Sequence, residues 1–182
     1  MFRANRRRSI GRCGRVAAML FCLTAAATVH AQDVPVVPAI ESVYLTKFAA
    51  FVEWPPDARP AGPATLCILN DAQIAGLAEL AASKPADSAG PMVVRRLASA
   101  AQVPGCQILF IGDTGGTPAA AVLVAPALTV TNQAAEGRKG IINFVIRDDR
   151  VRFEIDDSEA ARRGLTISSK LLSLAVSVKP RA

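Results

Sequence analysis

The stretch GIINFVIRDDRVRFEIDDSEAARRGLTISSKLLSLAVSV, Gly140 to Val178, decides how the rest of the chain is read. A two-residue turn at Asp148-Asp149 pairs Ile146 with Val151, Phe144 with Phe153 and Ile142 with Ile155, so every apolar pair falls on one face. A slip of one residue would scramble that face. The second strand alternates, with Val151, Phe153 and Ile155 inward and Arg150, Arg152 and Glu154 outward, as in a half-buried antiparallel strand. Its partner, Ile141 to Ile146, reads as apolar on both faces, which places it inside the sheet and the second strand nearer an edge. Ser158 to Arg163 then predicts a short helix that Gly164 stops. Ile167, Leu171, Leu174 and Val178 recur at helical spacing, so a last helix is expected from about Ser168, closing the core and leaving Lys170 and Lys179 in water.

Upstream, residues 32–39 are proline-rich and read as a flexible lead-in. Ile40 to Glu53 then predicts a helix with Tyr44, Phe48, Phe51 and Val52 on one face and Ser42, Thr46, Lys47 and Glu53 away from it. Trp54-Pro55-Pro56 ends that helix, because proline lacks the donor and biases its predecessor away from helical angles. Trp54 is either a packed core anchor or a contact for a ligand or partner. Ala64 to Leu69 is a buried-type strand, and Asn70-Asp71 caps a helix to about Ser83. Pro91 to Leu97 and Cys106 to Ile111 predict two more strands. Gly112-Asp113-Thr114-Gly115-Gly116 lacks the spacing and the lysine of a phosphate loop and reads as a glycine turn. Thr117-Pro118 opens an alanine-rich helix, Leu128 to Thr131 is a short strand and Asn132 to Glu136 a helical turn. The fold class is therefore α/β: one domain over residues 40–182, a mixed β-sheet flanked by helices, closing with a β-hairpin and a C-terminal helix.

The first residues carry Arg3, Arg6, Arg7, Arg8, Arg12 and Arg15 with no acid, followed by an apolar run from Val16 to Val29. That anatomy is a secretory signal peptide over residues 1–31, cleaved after Ala31, and the run is shorter than a membrane-spanning helix needs. An uncleaved anchor is the other reading. The Sec route is favoured over twin-arginine export, and a periplasmic protein follows. Cleavage removes six arginines, leaving 15 basic residues against 15 acidic ones over residues 32–182. The basic excess belongs to the leader, so no bulk footprint for nucleic acid remains.

Of four cysteines, only Cys67 and Cys106 follow the leader. In an oxidising compartment they form a structural disulfide, a redox-switched one, or stay as buried thiols. The only histidine, His30, lies at the cleavage site, which removes histidine-based nucleophile systems and the usual zinc sites. Asp148-Asp149 and Asp156-Asp157 read as turn formers and caps. No catalytic residue, metal site or cofactor is expected, and the chain is read as no enzyme.

Six blocks in order carry a resemblance: KFAAFVEWP (Lys47 to Pro55), LCIL (Leu66 to Leu69), CQILFIG (Cys106 to Gly112), LTVTN (Leu128 to Asn132), GIINFVIRDDRVRFEID (Gly140 to Asp156) and ARRGLTISSKLL (Ala161 to Leu172). Together they resemble the YfiR family, periplasmic α/β proteins that repress membrane-bound diguanylate cyclases by binding the cyclase's periplasmic sensor domain. The resemblance implies a regulator of cyclic di-GMP and biofilm, with an inner-membrane cyclase or related receptor as partner, an outer-membrane protein able to sequester it, and a homodimer as a frequent state. It also implies that Cys67 and Cys106 form a disulfide. A second cysteine pair of the best-known member is absent here.

For the partner surface, the candidates are Arg150, Arg152 and Glu154 on an exposed strand edge, with Leu165 and Ile167 either apolar anchors beside it or core residues. The alternative function is a periplasmic small-ligand module, with Trp54, Arg95, Arg96 and the Gly112 to Gly116 loop lining a cleft at the carboxyl ends of the strands.

Overall fold

The computed structural model describes residues 36–69, 74, 92–112, 126–132 and 139–181. Along the chain these form α1 (Val36–Phe48), a 3-10 turn (Ala49–Phe51), β1 (Val52–Glu53), β2 (Thr65–Leu69) and β3 (Val93–Leu97). There follow β4 (Ile108–Ile111), β5 (Leu128–Thr131), β6 (Ile142–Arg147) and β7 (Arg150–Asp156). The chain closes with α2 (Asp157–Arg162), β8 (Thr166–Ile167), α3 (Ser169–Leu172) and β9 (Ser177–Lys179). The expected helices after Asn70 and Thr117, the loop past Gly112 and the turn after Asn132 lie outside the described residues.

Seven strands form one mixed sheet in the order β3-β2-β4-β5-β6-β7-β9. The run from β3 to β6 is parallel, β7 returns antiparallel to β6, and β9 lies parallel to β7. The hairpin register is the one read from the sequence: Ile146 faces Val151, Phe144 faces Phe153 and Ile142 faces Ile155. Asp148 and Asp149 both take positive φ, 50° and 56°, which lets a two-residue turn match the twist of the strands it joins.

Alternation along the strands builds two apolar clusters. On one face Leu66, Ile68, Phe110, Val130, Phe144 and Phe153 meet the inner side of α1. Tyr44 and Phe48 stand over the hairpin there, with ring centroids 5.5 to 6.1 Å apart across Tyr44, Phe48, Phe144 and Phe153. On the other face Cys67, Leu69, Leu97, Val103, Cys106 and Leu109 form a smaller cluster. Cys67 and Cys106 are bonded there, with 5.8 Å between their Cα atoms, which fixes β2 to the turn before β4.

Three expectations are corrected. The first helix starts at Val36, inside the expected lead-in, and ends at Phe48 rather than Glu53. Its early start is free of cost at Pro38, because the first turn of a helix has no intrahelical partners for its N–H groups. Its early end follows from pairing: Val52 and Glu53 bridge Ile167 and Thr166, and Ser168 N donates to Phe51 O at 2.9 Å.

The closing helix spans only Ser169–Leu172, and Ser177–Lys179 is a strand. Leu171 alone of the predicted stripe packs as a helical core residue. Ile167 is buried in β8, while Leu174 and Val178 are 58% and 36% exposed. The reason is the outer edge of β7, whose backbone groups need partners. Glu154, Ile155 and Asp156 face Ser177, Val178 and Lys179, and Val176 N donates to Phe153 O at 2.9 Å. Lys179 reaches Asp156 at 3.0 Å, and Arg181 forks onto Asp157 at 2.7 and 3.1 Å.

The strand Ile141 to Ile146 is also not apolar on both faces, for Asn143 is buried within it. Its side chain accepts from Gly140 N at 2.9 Å and donates to Gly140 O at 3.2 Å, and the Thr131 hydroxyl donates to the same Asn143 oxygen. Buried polar groups persist only when so satisfied.

Candidate functional site

The short helices and caps around the hairpin consume most of the acids near it. Asp156 Oδ1 caps α2 by accepting from Glu159 N at 2.8 Å and from Ser158 Oγ at 2.6 Å. Burial alone would raise its pKa, but hydrogen bonds from Ser158, Lys179 and Glu159 N bring it from 3.8 down to about 2. Glu159 shows the same balance: burial raises it, and Arg163 and Arg162 pull it below its ordinary value. Arg163 also donates to Thr129 Oγ1 at 3.2 Å, tying α2 to β5. These carboxylates are ionised structural partners, not acids poised near neutral pH for proton transfer. Among the described residues, no group of His, Cys, Asp and Glu is arranged to hold a metal ion.

Leu165 and Ile167 are core rather than surface anchors, at 1% and 4% exposed, with Ile167 paired to Val52. Arg150, Arg152 and Glu154 do share the outer face of the hairpin. There Arg150 stands opposite Arg147, Arg152 opposite Val145 and Glu154 opposite Asn143. Glu154 is held by Lys139 at 3.0 Å and by Arg147 at 3.7 Å. The expected free edge exists only in part, because β9 covers it from Glu154 onward and leaves Arg150 to Arg152 beyond its end.

Trp54, Arg95 and Arg96 are not brought into one cleft. Trp54 is 7% exposed and sits in the larger core cluster. Its Nε1 donates to Gln107 O at 3.3 Å, just before β4, at the amino ends of the parallel strands rather than the carboxyl ends. Arg95 and Arg96, neighbours on edge strand β3, point to opposite faces of the sheet. Arg95 donates to Gln102 O at 3.1 Å and Arg96 to Ile74 O at 3.2 Å. Apart from Ile74 and Gly112, the residues that directly follow β2 and β4, where the strand order reverses and such sheets bind ligands, lie outside the described residues.

A groove of about 660 Å³ opens instead between the end of α1 and the α3 segment. Phe48 and Phe153 form its floor, Tyr44 and Phe51 its half-buried walls, and Leu171 and Leu174 its far side. Lys47 and Lys170 stand on the rim, Lys170 Nζ lying 5.7 Å from the centre of the Phe51 ring. No acid is among the described residues that line it. Sequence reading assigned Tyr44, Phe48 and Phe51 to a core face and missed that the face stays partly open. The available signal was Ile40 and Val43, exposed apolar residues on the lysine side of α1.

These elements, from the first turn of α1 to the residue before β9, coincide with a family match. A sequence model described as YfiR/HmsC-like matches residues 38–176. The chain belongs to the YfiR/HmsC-like family. No curated protein matches it. The YfiR/HmsC-like match therefore covers both clusters of the sheet, the disulfide and the groove, and it ends where β9 begins. Among the described residues, no helix is long and apolar enough to cross a membrane.

Proposed function

We propose that this chain is a periplasmic regulatory binding protein that represses a membrane-anchored diguanylate cyclase by gripping the cyclase's periplasmic sensor domain. The match to the YfiR/HmsC-like family over residues 38–176 carries the reading. The geometry supports it: the open concave surface is lined by aromatic and aliphatic side chains, while the nearby carboxylates serve as caps and ion-pair partners. Aromatic-rich concave surfaces suit protein recognition, in which a few buried anchors carry most of the energy.

A binder shifts a signalling equilibrium only by its differential affinity for the two states of its target. Moving a cyclase from almost wholly active to almost wholly inactive takes a preference of about 10⁴-fold for the inactive form. Repression thus requires a tight, state-selective interface rather than any bond-making step. Export completes the proposal: the leader, residues 1–31, is removed, and N-terminal sequencing of exported protein reads Gln32 first. Co-purification with a membrane-anchored cyclase tests the function itself. Capture of the cyclase through its periplasmic domain is expected, and a cyclase whose activity is unchanged by saturating protein would overturn it.

A small-ligand module is favoured by one observation. A cleft of about 420 Å³ lies at the amino ends of the strands beside Cys106, between Asp57, Arg59 and Pro104. A thermal-shift screen of small metabolites separates the two readings, since a ligand bound only by the folded state raises the melting temperature.

A further inference from the structure

The groove between α1 and α3 has a charge pattern that selects its occupant. Its aromatic floor is rimmed by Lys47 and Lys170, with no acid among the described residues that line it. Outside the groove's lining, Ile40 and Val43 fall on the same side of α1 as Lys47 by helical spacing and are exposed, and Leu174 on the opposite wall is exposed too. Exposed apolar residues on the same helix side as a lysine-rimmed aromatic groove mark an interaction site.

Two occupants from the chain itself fit poorly. The leader, residues 1–31, is absent from the exported protein, and the four residues 32–35 left ahead of α1 reach at most about 14 Å, short of the roughly 16 Å along α1 to Lys47. A second copy joined groove to groove brings lysine against lysine, because a two-fold contact apposes the same patch.

Resting on the binding-protein reading above, we infer that the groove takes an acidic amphipathic segment of the partner, apolar side chains on the aromatic floor and carboxylates against Lys47 and Lys170. Rim lysines of this kind raise the association rate and fix register, while the buried apolar anchors supply the affinity.

The test uses the purified exported protein, its K47E/K170E double variant and a K47A/K170A variant, with unfolding curves confirming that each is folded. The first probe is a short synthetic helix with leucines at i, i+3, i+4 and i+7 flanked by glutamates, alongside its lysine-flanked counterpart. Titration should show the acidic peptide binding the native protein, weakening about tenfold or more in K47E/K170E and by less in K47A/K170A, while the lysine peptide shows the reverse preference. Equal binding of both peptides to all three proteins overturns the inference. The second probe is the periplasmic domain of the cyclase. If the native protein captures it and K47E/K170E captures it equally, the groove assignment fails and the repressor reading stands. If the native protein captures no cyclase, the repressor reading fails, and the peptide titration still decides the groove. Loss of a dimer in K47E/K170E with cyclase capture intact makes the groove a self-interface and overturns the inference.

Discussion

A Cβ atom added to Gly140 would stand 2.6 Å from the Thr129 carbonyl oxygen, closer than packed atoms approach. Gly140→Ala therefore forces β5 and β6 apart at the buried Asn143 node, and a loss of about 1–3 kcal/mol is expected in chemical denaturation. At Asp156 the prediction concerns pH. Its folded pKa of about 2 lies below the ordinary 3.8, so its stabilisation is complete above that ordinary value and is lost as pH falls through about 2. Asp156→Asn keeps a capping side chain and removes the charge. The stability gap between it and the native protein should be present at neutral pH and close as the pH approaches about 2, in urea melts across that range. A gap independent of pH would remove the ion pair with Lys179 from the explanation. Sequence reading reached Asp156-Asp157 as turn formers and caps from their place at the entry to a short helix. It missed Asn143, because a single polar residue in an apolar run carries no sign that the hydroxyl of Thr131, on the neighbouring strand, and the backbone of Gly140 will satisfy it.

The hairpin was legible because three cross-strand pairs agree on one register, and a shift by one residue spoils all of them. The end of the chain was ambiguous for an equally physical reason. Leu171, Leu174 and Val178 fit a helical period, while Leu174, Val176 and Val178 fit the period of a strand. The unpaired edge of β7 decides between them, and no local pattern reports that edge. The two readings separate by mutation. Leu171→Ala should cost about 2–5 kcal/mol, as for a buried leucine, and Leu174→Ala should stay within about 0.5 kcal/mol, as for a surface one. Comparable losses at both positions would restore the longer helix. The disulfide belongs to this scale too. Cys67 and Cys106 are 39 residues apart, and removing the bond in C67A/C106A should lower stability by up to about 4 kcal/mol on loop-closure entropy, read by denaturant unfolding with and without reductant.

Over the whole molecule, the α/β class and the family were readable from blocks of sequence, and the groove was not. The groove joins Tyr44, Lys47 and Phe51 to Phe153, Lys170 and Leu174, segments that become neighbours only once the sheet is assembled. Leu165 and Ile167 resembled free anchors because apolar residues near a presumed edge look alike whether they face a partner or the core; the β1–β8 pairing buries Ile167, and Leu165 lies in the larger cluster. What the molecule presents is a stapled sheet with an aromatic, lysine-rimmed opening, the surface on which the proposed grip on a partner rests. The most direct test is the cyclic di-GMP content of cells lacking the gene, measured by mass spectrometry against cells in which the exported protein is restored. A rise on deletion that restoration reverses is the expected result; a level that follows neither deletion nor restoration contradicts repression of a cyclase by this chain.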